Sequence, residues 1–224
     1  VPAPISIVIP TLNAAETLPA TLGALMEGLR AGLIHELIVS DAGSTDKTHE
    51  FAENAGARIV TGEASRGGQL RRGCAAAKAD WLLVLHADTV LQDGWSNVVR
   101  DHLPSGRPAA FRLAFVAAGF APSWVAGWAN LRSRIFGLPY GDQGLLVRRS
   151  EYQDAGGFPD QPLMEDVALA KKLRRITLLS ARAFTSADRY ERAGWLRRGG
   201  RNLWTLTRYL LGADPERLAR AYRQ

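Results

Sequence analysis

Glu36-Leu37-Ile38-Val39-Ser40-Asp41-Ala42-Gly43-Ser44-Thr45-Asp46 decides how this chain folds. An apolar strand ends in a carboxylate, a glycine turn follows, and then come three residue types that cap helices. A second stretch, Trp81-Leu82-Leu83-Val84-Leu85-His86-Ala87-Asp88-Thr89, does nearly the same. Continuous apolar strands separated by helices predict a mostly parallel α/β sheet covered on both faces, with right-handed crossovers. Ligands of such sheets collect at the carboxyl ends of the strands. Two carboxylates delivered there by two strands predict a site for a nucleotide and a metal ion.

Working outward, Ile5–Ile9 reads as a β-branched strand stopped by Pro10. Asn13 and Glu16 have the spacing of a capping box for a helix running to about Leu29. A helix from Thr45 to Asn54, a short strand at Arg58–Val60 and a helix from Gly68 to Lys78 complete the first half. Beyond Asp88 the pattern predicts a helix at Gly94–Leu103 and strands at Phe111–Val116 and Gly144–Arg148. A helix is expected over Glu165–Arg174, and a last one opens at Asp214-Pro215-Glu216, with Asp as cap and Pro at the first turn. Trp124, Trp128, Leu131 and Ile135 share one helical stripe, read as core in preference to an acceptor platform. No internal repeat or low-complexity linker interrupts the 224 residues, so one domain is expected. It is expected to divide into residues 1–104, residues 105–190 and C-terminal helices over 191–224.

The net charge of +6 suits a polyanionic ligand, a nucleic acid or an anionic membrane surface. Direct nucleic-acid binding is not expected, because the basic clusters at Lys171–Arg175 and Arg189–Arg201 adjoin no recognition motif. Cys74 is the only cysteine, which points to a reducing compartment and a cytoplasmic location. Its small-residue surroundings, Gly73 to Ala77, predict a buried packing role. No apolar run is long enough to span a bilayer, and the N-terminus has no signal-peptide pattern. Trp195 to Leu211 mixes arginine with aromatics as interfacial helices do, which leaves peripheral contact with the inner face of a membrane open.

Each candidate site residue carries a plainer reading beside its chemical one. Asp41 caps its own turn or accepts a hydrogen bond from a nucleotide base. Asp88 closes a turn or ligates Mg²⁺ or Mn²⁺, which need one or two protein carboxylates when a diphosphate supplies further oxygens. Arg66-Gly67-Gly68-Gln69-Leu70-Arg71-Arg72 is surface helix or a phosphate-approaching segment. Tyr140-Gly141-Asp142-Gln143-Gly144 is a tight turn or a loop that reaches sugar hydroxyls. Glu165 and Asp166 are helix-dipole caps, or an acid pair in which Asp166 works as a general base.

Four ordered motifs together resemble the family 2 glycosyltransferases of GT-A fold. They are Ile7-Val8-Ile9-Pro10-Thr11-Leu12-Asn13, Val39 to Asp46, Leu85-His86-Ala87-Asp88, and Gly156-Gly157-Phe158 with Glu165-Asp166. The loops at Leu85–Thr89, Tyr140–Gly144 and Leu163–Asp166 are similar to a bacterial subgroup known as arsenosugar-biosynthesis or radical-SAM-selenodomain-associated glycosyltransferases. The resemblance implies a Rossmann-like GT-A domain with a helical C-terminal extension. It further implies inverting, metal-assisted transfer from a nucleotide-sugar, usually a UDP-sugar, to an acceptor hydroxyl. By residue matching, Thr11 and Asp41 would contact the nucleoside and Asp88 would bind the metal; Pro10, Asn13 and Ala87 are further candidates for the donor site, and His86 for the metal. Arg66 and Arg71 would face the diphosphate, Asp142 and Gln143 the hydroxyls, and Asp166, supported by Glu165, would be the base. Arg189-Tyr190-Glu191-Arg192, with Trp195, would close over the phosphates.

Three residues depart from the pattern. Ala42 replaces the second Asp of the usual pair, His86 the first Asp of Asp-X-Asp, and Leu70 an arginine. Imidazole at position 86 would favour Mn²⁺ over Mg²⁺. Two alternatives follow: a nucleotidyltransferase of the same fold, which lacks support because Pro10-Thr11-Leu12-Asn13 is not a glycine-rich lysine loop, and a non-catalytic nucleotide or membrane-surface module.

Overall fold

A computed structural model describes residues 2–223; the side chains of Arg189 and Arg223 lie outside the described residues. Strand β1 (Ile5–Thr11) runs through the sheet interior, and alternation sorts its side chains. Ile5, Ile7 and Ile9 enter the core on one face with Leu83, Leu85 and Trp95, while Val8 enters the other with Leu82, Leu70 and Cys74. Full burial of a side chain such as Ile7 contributes about 2 kcal/mol.

The strand does not stop at Pro10, as the sequence suggests, but pairs through Thr11 with Asp41. Thr11 turns its carbonyl to β2 (Ile34–Asp41) and Val8 turns its carbonyl toward Leu85. By alternation Pro10 faces the β4 side, where pairing ends at Val84, so its missing N–H deprives no partner. Helix α1 (Leu18–Arg30) likewise begins later than expected. Asn13 is no cap: its side-chain carbonyl accepts from Thr45 N at 2.9 Å, and its backbone is left-handed, φ 50°.

Helix α2 (Thr48–Asn54), strand β3 (Arg58–Thr61), helix α3 (Arg66–Ala76) and strand β4 (Trp81–Val84) follow. Helix α3 lies so close to β1 that a Cβ on Gly73 would sit 2.4 Å from Val8. One on Gly67 would strike the Pro159 carbonyl. Gly67 and Gly73 therefore permit this close packing.

The second half comprises β5 (Thr89–Leu91), α4 (Trp95–His102), β6 (Ala109–Phe115), α5 (Phe120–Phe136), β7 (Leu145–Arg148), α6 (Arg149–Asp154), α7 (Glu165–Ala170) and β8 (Thr177–Thr185). Helices α8 (Asp188–Ala193), α9 (Trp195–Leu210) and α10 (Pro215–Arg223) form a C-terminal helical region. Asp214 caps α10 as its sequence predicts, accepting from Arg217 N at 2.9 Å. The eight strands make one mixed sheet, ordered β3-β2-β1-β4-β7-β6-β8-β5. β3, β2, β1 and β4 are mutually parallel, as are β6 and β8, while β7 and β5 run against their neighbours. Helix α7 ends at Ala170, short of the expected Arg174. The stripe Trp124, Trp128, Leu131 and Ile135, expected in the core, is exposed; α5 instead buries Pro122, Val125, Ala126 and Ala129. Cys74 is buried as expected, and burial pushes its thiol up to about 12.

Candidate active site

The carboxyl ends of β1 and β4 open into a cavity of about 560 Å³, closed on the far side by the loop before α7 and by α8–α10. Of the residues expected to meet there, Pro10, Thr11, Asn13, Arg66, His86, Ala87, Asp88, Asp142, Glu165 and Asp166 do line it. Asp41, Arg71 and Gln143 do not.

Asp41 is fully buried at the tip of β2. Its carboxylate accepts from Thr11 Oγ1 (2.7 Å), Ser44 Oγ (2.5 Å), and the backbone N–H groups of Gly43 and Ser44 (2.8 Å each). His49 Nε2 lies 2.9 Å from Oδ2. Burial pushes this carboxyl up, but the bonds from Ser44, His49 and Thr11 outweigh it and hold the group well below the usual carboxylate range. These bonds make Asp41 orient Thr11 and the 42–44 turn. Gln143 is also fully buried: it accepts from Ser133 Oγ and donates to the Phe111 carbonyl. Arg71 sits on the exposed face of α3. Gln69, on the buried face, ties the strand tips together by donating to the carbonyls of Thr11 (2.8 Å) and Ser40 (3.2 Å).

Acidic groups crowd the opposite wall. Glu165, 1% exposed, pairs through Oε1 with Arg66 Nε at 2.5 Å; its Oε2 is buried with no hydrogen-bond partner. Burial pushes Glu165 up against the pull of Arg66. Asp166 accepts from Gly141 N and Val167 N, both at 2.7 Å, which fixes its carboxylate toward the cavity loop. Asp142 also has a buried oxygen, Oδ1, without a partner. Burial, with added repulsion from Asp166 and Asp88 and opposed by Arg132 and Arg66, pushes it up to about 6. The non-glycine residues with left-handed backbone among those described are Asn13 (φ 50°) and Met164 (φ 62°), and both line this cavity. Strain of this kind concentrates at working sites.

The C-terminal helices supply a wall in which Arg198, Asn202 and Tyr222 join the expected Tyr190. Arg198 donates to Tyr222 Oη (3.1 Å), Tyr222 to Asn202 Oδ1 (2.8 Å), and Asn202 to Tyr190 Oη (2.9 Å). All four line the cavity. Of the segment expected to close over the phosphates, only Tyr190 lines the cavity among the described side chains; that of Arg189 lies outside them. Trp195 stacks behind Tyr190, centroids 4.9 Å apart. The signal for this wall was the spacing of Tyr190, Arg198 and Asn202, which is visible only once α8 is known to turn back on α9.

Among the described residues no three His, Cys, Asp or Glu side chains gather to hold a metal ion unaided. A hard divalent ion nevertheless fits here. It needs only one or two carboxylates beside a diphosphate, and this wall carries a surplus of acceptors, two of them orphaned. Asp88 is the open donor. His86 Nε2 lies 3.5 Å from Arg66 Nη2, so a guanidinium competes for that nitrogen.

The model of glycosyl transferase family 2 matches residues 6–128, more than half of the chain. Glucosyl-3-phosphoglycerate synthase of Mycolicibacterium smegmatis is 36% identical over 98 residues, 40% of this chain and 32% of that protein. A PGL/p-HBAD biosynthesis glycosyltransferase of Mycobacterium bovis is 38% identical over 95 residues, 39% of this chain and 36% of that protein. The match thus spans about a third of each relative's length. Among solved structures, S. aureus TarS 1-349 with UDP-GlcNAc superposes with a TM-score of 0.63 at 14% identity, over 82% of this chain and 58% of that one. Glucosyl-3-phosphoglycerate synthase from Mycobacterium tuberculosis with Mn²⁺, UDP and phosphoglyceric acid gives 0.55 at 22% identity, over 78% and 67%. The superpositions establish a shared fold, and the matched sequence makes this chain a member of glycosyl transferase family 2.

Proposed function

We propose that this cavity transfers a sugar, with inversion, from a UDP-sugar to an acceptor hydroxyl. The observation that carries the reading is the meeting of Asp88, from a strand tip, with Asp166, from a helix start, on the wall of one cavity. In this reading residues 1–104 hold the nucleotide, 105–190 the acceptor side, and 191–224 cover it. Thr11, Pro10, Asn13 and Ala87 bound the nucleoside, with Asp41 as a positioning residue behind Thr11. Arg66, anchored by Glu165, faces the diphosphate and stabilises the charge that develops on it. A Mn²⁺ or Mg²⁺ ion held by Asp88, with His86 at its side, would neutralise the departing diphosphate as a Lewis acid. Asp166 removes the acceptor proton, and its two backbone donors keep it aimed during transfer. Asp142 holds a sugar or acceptor hydroxyl. The narrower kinship with the arsenosugar or radical-SAM-associated subgroup rests on the loops at Leu85–Thr89, Tyr140–Gly144 and Leu163–Asp166. The lone buried cysteine supports a cytoplasmic setting, and the basic, aromatic C-terminal helices support contact with a membrane's inner face.

UDP release from a panel of UDP-sugars with Mn²⁺ tests this. Asp166→Asn is expected to keep donor binding and lose release by about 10²-fold or more. Wild-type turnover in that variant would move the base elsewhere. Donor binding by the wild type without any turnover would favour the non-catalytic module, to which Ala42 and His86 lend support.

A further inference from the structure

Helix α5 turns the wrong face outward for a soluble surface. Phe120, Trp124, Trp128, Leu131 and Ile135 all lie within about 40° of one line along the helix. All are exposed, Phe120 to 83% and Trp124 to 54%. Helix α9 adds Leu196, Leu203, Trp204 and Leu210, again exposed, and Leu211 follows at its end. The helices pack together where Val125 meets Gly199, which has room for a Cβ 3.9 Å from the valine. Trp128 is three residues from Val125, and Leu196 and Leu203 are three and four from Gly199, so both apolar stripes border that seam.

Charge says what covers this face. The chain carries 22 Asp and Glu, yet α5 and α9 contain none, against six arginines. Arg132 is buried, and Arg198 lines the cavity. Arg134 and Arg197 are exposed, and Arg201 and Arg208 are half-buried. A second copy of the chain would bring arginine against arginine, which like-charge repulsion disfavours. Tryptophan beside arginine on an apolar helix face suits the headgroup region of a bilayer, where the ring bridges water and hydrocarbon. No helix among the described residues is long and apolar enough to cross it. We infer that the α5–α9 face docks this protein peripherally on an anionic phospholipid bilayer. The same α9 carries Arg198 and Asn202 on the cavity wall, so docking would set the cavity about one helix diameter, roughly 10 Å, from the headgroups. The inference stands on this surface, whatever reaction the cavity carries.

Co-sedimentation with vesicles of phosphatidylcholine containing phosphatidylglycerol, compared with phosphatidylcholine alone, tests it. The full chain is expected to bind the anionic vesicles at least about tenfold more tightly, with binding weakened by salt. Trp124→Ala with Trp128→Ala, both at exposed positions, should weaken it about tenfold or more. Arg197→Glu with Arg208→Glu should do the same. Circular dichroism of each variant verifies folding. No preference for anionic vesicles, or wild-type binding by both double variants, would overturn the inference. So would a stable dimer in sedimentation velocity that Trp128→Asp dissolves, since the face would then belong to a second copy.

Discussion

Asp142 is held in a place that disfavours its charge, and replacing it should make the protein more stable at neutral pH. Its pKa rises from 3.8 in the unfolded chain to about 6 in the folded one, by burial above all and then by Asp166 and Asp88. The native state therefore binds the proton more tightly. Stability is full below the unfolded value and falls as pH climbs from about 4 to about 6. A shift of a little over two units, at about 1.4 kcal/mol per unit, gives about 3 kcal/mol. Water reaching the cavity makes that figure a ceiling. Asp142→Asn keeps the shape and removes the charge. In urea unfolding it should exceed the wild type by up to about 3 kcal/mol at about pH 8 and match it near pH 3.5. Burial also raises Glu165 against the pull of Arg66, so a reduced pH slope should persist in the variant. Equal stability of variant and wild type at pH 8, or the same gain at both pH values, would refute the electrostatic reading of this wall.

Two further substitutions probe the scaffold behind the cavity. Asp41→Asn should cost about 3 kcal/mol near pH 7, because a buried carboxylate taking several hydrogen bonds is lost. That difference should shrink as pH falls through Asp41's depressed range, since wild-type stability from this group is present above about pH 4 and lost below it; a pH-independent cost in denaturant titration would contradict this. Gly73→Val should cost about 2–3 kcal/mol by forcing α3 off Val8, read as a lowered melting temperature. An unchanged melting temperature would show that the close approach is not required.

The sheet was legible in the sequence where strands are buried on both faces. Ile7–Ile9, Leu37–Val39 and Trp81–Leu85 are unbroken apolar runs that only a covered sheet accommodates. Strand β8, the longest, escaped notice because its alternation is carried by Leu179, Ala181 and Ala183 against Ser180 and Arg182, residue types with little β preference. The α5 stripe misled for a related reason. Periodicity reveals that apolar residues share a face, but not whether that face turns inward, and α5 buries small residues at Ala126 and Ala129 instead. At the cavity, acids at strand tips and helix starts were readable from position alone. The exclusion of Asp41 and Gln143 was not, because their partners Thr11, His49 and Ser133 are brought to them only by the fold.

In the proposed mode of binding, Asp88 and the strand tips hold a nucleotide diphosphate through a divalent ion. Titration of UDP into the protein by calorimetry, with and without Mn²⁺, tests it most directly. Binding is expected to strengthen at least about tenfold with Mn²⁺, and Asp88→Ala to lose that gain while retaining the melting temperature without ligand. Equal UDP affinity with and without Mn²⁺, or an Asp88→Ala variant that keeps the full Mn²⁺ gain, would contradict it.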